Sequence, residues 1–302
     1  MKKQLRGSAL LLFATVIWGS AFVAQSVGMD HIGPFTFQSV RSFLAVIGLM
    51  PVILLTDRLQ KDNKGFWRRW ADKKLWKAGI LCGIPLFLAC NLQQVGLVDT
   101  DAGKSGFLTA MYIVIVPVIG IFLKRKPSIM VPISVVLAVA GLYFLSCMGV
   151  TRISTGDLLT LGCALMFAFQ ITFVDLFGGS VDALRLNAIQ AFVCALLSTV
   201  AMFIAETPTI RGISAAWLSL AHAGFISMGA AYALQIYGQR DLEPATASLI
   251  MSLESVFAVV FGAVLLQETM TRWEILGCGL VFVAVVLSQI PVKLKKKAAQ
   301  HT

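Results

Sequence analysis

Two ionisable side chains stand deep inside apolar stretches of the 302-residue sequence: Arg41 in the run 33–55 and Glu254 in the run 244–266. Arg41 is about eight residues from one end of its run and Glu254 about eleven from one end of its own, which puts each roughly 12 to 16 Å deep if the runs are helical. A charge at that depth in a hydrocarbon layer is costly and marks a functional site by default. A guanidinium there suits an anionic group, an acid or backbone carbonyls. A carboxyl group there suits a proton or an amine in turn, so Glu254 is either protonated, paired with Arg41, or a coupling group. Neutral polar residues recur nearby at helical spacing. Pro34, Gln38, Arg41, Ala45 and Gly48 follow steps of 4, 3, 4 and 3; Ala183, Asn187, Gln190 and Cys194 follow 4, 3 and 4. Trp18, Phe22 and Gln25 form a further face, as do Ser105, Thr109 and Tyr112, and Met228, Tyr232, Gln235 and Gln239. Amides and small residues also glue membrane helices together, but five such faces point to a lined pathway. The candidate binding residues are therefore Trp18, Phe22, Gln25, Gln38, Arg41, Asn91, Gln93, Tyr112, Gln170, Gln190, Tyr232, Gln235 and Ser252, with Glu254 as the coupling acid.

Other strings offer different chemistry and carry it less far. Gly103-Lys104-Ser105 lacks the glycine that a phosphate loop needs at Val98. Gly103-Lys104-Ser105-Gly106 together with Ala221-His222-Ala223-Gly224 resembles the serine and histidine elements of a rhomboid-like intramembrane serine protease, where a Ser-His pair would hydrolyse a peptide bond. The histidine spacing is one residue short of that pattern, and ten apolar runs go unexplained. The six cysteines contain no CxxC pair and read as buried small side chains. Asp175 falls at a helix end and reads as solvated, and His222 reads as a packed histidine. No cofactor and no metal are expected, and no ATP-binding motif is visible.

The elements that position these residues follow from composition. The AVILMFWYC set makes up 58% of the chain and charged residues only 13%, with mean hydropathy +0.83. Soluble domains carry about 25% charge, so a water-soluble globule is excluded. Continuous apolar runs of about 20 residues indicate membrane-spanning helices rather than a barrel. Ten runs are predicted: 5–28, 33–55, 75–98, 103–123, 128–147, 156–177, 183–205, 215–239, 244–266 and 271–290. An even count places both termini on one side. That side then collects 20 Lys and Arg against four on the other, which predicts cytoplasmic termini. The net charge of +10 is thus a topology signal and not a nucleic-acid footprint. The basic segment 68–77 with Trp67, Trp70 and Trp76 suits anionic lipid at the cytoplasmic interface.

Sliding the halves against each other exposes a repeat. Leu92-Gln93-x-x-Gly96-x-x-Asp99 recurs as Leu234-Gln235-x-x-Gly238-x-x-Asp241, an offset of 142. Gln38-x-x-Arg41-x-Phe43 answers Asn187-x-x-Gln190-x-Phe192 at an offset of 149. Five spans per half is odd, so the second copy must cross the membrane in the opposite sense. The expected fold is all-α, with ten transmembrane helices as two inverted five-helix repeats, residues 1–150 and 151–302. Inverted repeats with a site near the midplane are a recurring build of secondary transporters.

Trp18-Gly19-Ser20, Arg41-Ser42-Phe43, Leu253-Glu254-Ser255-Val256-Phe257-Ala258 and Leu265-Leu266-Gln267-Glu268, in that order, resemble the EamA-type branch of the drug/metabolite transporter superfamily over nearly the whole chain. Ser255 stands where that family usually has proline, which predicts a straighter ninth helix, and Lys124-Arg125-Lys126 stands where it has an acid. The resemblance implies a metabolite exporter and no enzyme. Aromatics and amides with few charges suit a small amphipathic substrate, an amino acid or related compound. The predicted protein is a multi-pass inner-membrane transporter working by alternating access. A non-transporting scaffold would leave Arg41 and Glu254 unexplained. Spans five and ten, with Gly141, Gly277 and Gly279, read as peripheral and offer a surface for a homodimer.

Overall fold

The computed structural model describes residues 2–59, 66–100, 102–125, 128–146, 153–265, 267 and 270–290, and among these all regular structure is helical. The long helices are α1 (Lys2–Met29), α2 (Pro34–Leu59), then after the short α3 (Phe66–Trp70) α4 (Lys73–Asp99). The fourth span is split into α5 (Ala102–Ala110) and α6 (Tyr112–Phe122), and α7 (Met130–Ser146) follows. In the second half come α8 (Thr155–Gly178) and α9 (Ala183–Ala205), a short α10 (Ile210–Ala215), and a span made of α11 (Trp217–Ala221), a π-helical segment (His222–Ala231) and α12 (Tyr232–Gln239). The ninth span is split into α13 (Pro244–Met251) and α14 (Leu253–Leu265), and α15 (Arg272–Ser288) is the last described helix.

Eight stretches among the described residues are long and apolar enough to cross a membrane. The expected fifth and tenth spans are shorter: α7 and α15 have 17 residues each, roughly 25 Å of helix. The protein is a multi-pass membrane protein, and its lipid-facing surface is apolar, as at Phe122 and Ile204. Helix starts are set locally. Asp72 caps α4 and Asp182 caps α9, while Ser154 with Asp157 and Thr271 with Glu274 form capping boxes at α8 and α15.

Lipid offers no hydrophobic drive for helix association, so close packing of small residues has to supply it. Gly7 of α1 meets Gly238 of α12, where an added Cβ would lie 2.8 Å from the facing carbonyl oxygen. Gly156 of α8 meets Gly96 of α4 in the same way, at 2.5 Å. Gly141 of α7 and Gly277 of α15 lock these helices together, with the Gly141 carbonyl oxygen 2.5 Å from a Cβ built at Gly277. The close approach these two glycines allow is thus used within the chain. Gly279 has nothing within 4 Å of its Cβ position.

Candidate functional site

Three of the spans change helical form where they approach the centre. The fourth breaks at Met111, just before Tyr112, and the ninth breaks at Ser252, two residues before Glu254. The proline-free sequence at Ser255 therefore does not straighten the ninth span. Instead the Ser255 amide reaches back three residues to the Ser252 carbonyl at 3.2 Å, and its hydroxyl donates to the Gly106 carbonyl at 2.7 Å. The third irregular span carries ten residues of π-helix, a rare form that is frequent at functional sites.

These irregular spans, with α1, α2, α4 and α8, surround a cavity. Ten sequence-predicted residues line it: Trp18, Phe22 and Gln25 from α1, Arg41 from α2, Gln93 from α4, Tyr112 from α6, Gln170 from α8, Tyr232 and Gln235 from α12, and Glu254 from α14. Four predicted residues do not. Gln38 sits behind Arg41, Gln190 behind Gln170, Asn91 turns to the Ser198 hydroxyl at 2.8 Å, and Ser252 bonds the Leu249 carbonyl at the helix break. Ala21, Phe167, Ile171, Ser227 and Met251 also line the cavity and escape sequence reasoning. Apart from Ser227 they carry no hydrogen-bonding side chain to single them out.

The Tyr112 hydroxyl donates to Glu254 Oε1 at 3.0 Å, joining the two helix breaks. Arg41 donates from Nε to Gln38 Oε1 at 2.6 Å and from Nη1 to Gln25 Oε1 at 2.5 Å, and its guanidinium stands 5.7 Å from the Phe37 ring centre. Among the described residues no ion pair joins Arg41 to Glu254, which removes pairing from the three readings of that acid. Both are buried, on the wall of one cavity, each solvated by neutral groups. A chain of amides runs from Gln235 to Gln170 at 3.1 Å, to Gln190 at 3.2 Å, to Asn187 at 2.9 Å, and on to the Gly229 carbonyl in the π segment at 2.7 Å. Trp18 meets Tyr232 edge to face at 5.1 Å. Trp18 Nε1 and Gln235 Oε1 have no hydrogen-bond partner among the described residues and belong to cavity-lining residues.

The Ser-His alternative fails on geometry. Ser105 Oγ is buried without a hydrogen-bond partner among the described residues, and His222 Nε2 lies 3.1 Å from Ser20 Oγ instead. The Ser20 hydroxyl donates to the Ile17 carbonyl at 2.8 Å, so it is not activated as a nucleophile. Lys104 is an ion-pair partner of Asp157 at 2.5 Å and supports the α8 cap. Asp175 is corrected too: Arg125 holds it at 2.5 Å, and its side chain is largely buried.

The model of the EamA-like transporter family matches residues 5–147 and, a second time, residues 154–289. The chain belongs to this family. An uncharacterized transporter of Archaeoglobus fulgidus is 32% identical over 297 residues, 96% of this chain and 88% of its own length. The uncharacterized transporter YoaV of Bacillus subtilis is 24% identical over 95% of this chain and 97% of its own. A solved crystal structure superposes with a TM-score of 0.76 over 93% of this chain and 96% of that one, at 15% identity, which shows a shared fold. This EamA-like chain is thus a membrane transporter by family, and the cavity is where its transport chemistry is to be sought.

Proposed function

We propose that this EamA-like protein exports a small amphipathic metabolite, an amino acid or related compound, across the cytoplasmic membrane by alternating access. The observation that carries the reading is one cavity holding Arg41 and Glu254 unpaired with each other, between aromatic and thioether walls. A zwitterion with an apolar side chain matches that arrangement: its carboxylate to the guanidinium, its amine to Glu254, its side chain against Trp18, Phe22 and Met251. Glu254 then serves as the coupling group, bound either to a proton or to the substrate amine.

The inverted arrangement, residues 1–150 and 151–302 with cytoplasmic termini, is part of this reading. It is supported by the double family match, by the Gly7–Gly238 and Gly156–Gly96 approaches between equivalent helices, and by the 142-residue offset of Tyr112 and Glu254. The exposed Trp67 and Arg68 of α3 suit anionic headgroups at the cytoplasmic face, and a homodimer would use a face other than the Gly141–Gly277 seam. The test is a metabolite-export screen of cells overexpressing the chain, followed by counterflow in proteoliposomes. An amino acid that accumulates outside and exchanges in vesicles is the expected result; loss of a polyanion or an inorganic cation instead would overturn the substrate class.

A further inference from the structure

Helices α2 and α9 are fastened to each other from end to end. α2 begins after Gly33, which has no side chain with which to cap the helix. The Glu206 carboxylate, at the end of α9, takes that place: it accepts from the amides of Phe35 and Thr36 at 2.8 Å each and from the Thr36 hydroxyl at 2.5 Å. A Cβ at residue 33 would fall 2.3 Å from the Glu206 carboxyl carbon, so the glycine makes room for a charge-assisted cap supplied from another helix. Further along, the Ser39 and Thr199 hydroxyls meet at 2.7 Å and Gln38 donates to Cys194 Sγ at 3.2 Å. At the other end Asp57, in the last turn of α2, accepts from Arg185 of α9 and, at 2.6 Å, from Arg69 of α3. The Arg185 side chain is 2% exposed and lies 5.5 and 5.9 Å from the ring centres of Trp70 and Phe66.

The two fasteners are equivalent in sequence. Asp57 and Glu206 are 149 residues apart, as are Thr36 and Arg185, so the acid ending each helix grips the third residue of the other. We propose that Asp57 and Glu206 are paired positioning residues that hold α2 and α9 as a fixed seam, so that the cavity opens through the broken spans and not between these two helices. The proposal rests on the transport reading. Both fasteners are closed in one and the same conformation, and parting either end would leave the buried Arg185 guanidinium with only Asp182, at 3.6 Å, or the amides of Phe35 and Thr36 without their cap. Helices α2 and α9 are also continuous, whereas the interruptions at Met111, Ser252 and 222–231 lie in spans elsewhere around the cavity.

The experiment places Ser227→Cys, a cavity-lining position, in a chain freed of its six cysteines, and follows its reaction with a membrane-impermeant maleimide in right-side-out and inside-out vesicles. Two cross-links are then introduced separately: a disulfide between Ser39→Cys and Thr199→Cys, which leaves both fasteners intact, and a short bifunctional thiosulfonate joining Asp57→Cys to Arg185→Cys. A fixed seam predicts that Ser227→Cys labelling from each side stays within about twofold of the uncross-linked rate. Loss of labelling from either side on cross-linking overturns the proposal and makes that end a gate. Labelling of the uncross-linked protein from one side alone would instead remove alternating access, and the seam is then judged by cross-linking on the side that reacts.

Discussion

Glu254 carries the sharpest residue-scale expectation. Its carboxylate accepts from Tyr112 across the two helix breaks, and it shares a cavity with Arg41 without pairing to it. Glu254→Gln keeps the shape and the hydrogen bond but cannot exchange a proton. The variant is expected to fold and to exchange substrate in proteoliposomes while losing its response to an imposed pH gradient; uptake still driven fully by the gradient would make Glu254 a structural acid. A second contrast separates lining from support. Gln235 faces the cavity with an unpartnered Oε1, whereas Gln190 lies behind the wall and is bonded on both sides by Gln170 and Asn187. Gln235→Ala, which gives up the single bond to Gln170, should cut transport with a smaller loss of thermal stability than Gln190→Ala. Gln190→Ala should cost about 1–3 kcal/mol by leaving buried amide groups unmatched, read as a lowered Tm in detergent. Equal stability losses in both variants would place Gln235 among the packing residues.

At the scale of helices, the association of α7 with α15 depends on backbone approach at Gly141 and Gly277. Gly277→Ala would set a methyl 2.5 Å from a carbonyl oxygen that has no flexible end to move, so the helices must separate. The expected cost is about 1–3 kcal/mol, measured as a fall in Tm. Gly279→Ala is the internal control, since nothing lies within 4 Å of its Cβ position and alanine favours the helix; no loss of stability is expected there. If both variants behave alike, the approach does not hold the pair together. Most of these elements were readable from apolar runs, because a helix in lipid must satisfy its own backbone and needs a fixed length to cross. The breaks at Met111 and Ser252 were not. No proline marks either position, and the split follows from contacts such as Ser255 to the Gly106 carbonyl, made between segments 149 residues apart.

For the molecule as a whole, the charge asymmetry makes a topological prediction. Single cysteines at Lys64 and Lys296, both outside the described residues, should react with impermeant maleimide only after cells are opened. Labelling of either in intact cells would overturn the cytoplasmic placement, and labelling of one alone would also sink the proposed inverted arrangement, which puts both on one side. What the sequence determined by itself is what can be read along the chain: apolar runs long enough to cross lipid, the faces that carry amides, the recurring motifs of the two halves, and two charges deep within apolar runs. What only the tertiary structure decided is pairing between segments. Arg41 turns to Gln25 and Gln38 and not to Glu254; Gly141 and Gly277 meet each other; Asp175 meets Arg125; and Glu206 caps a helix that starts about 170 residues earlier. In lipid every apolar face is equally content against a tail or a neighbour. Partners are therefore chosen by shape and by which polar atoms remain to be satisfied, and neither is written in the pattern of any one helix.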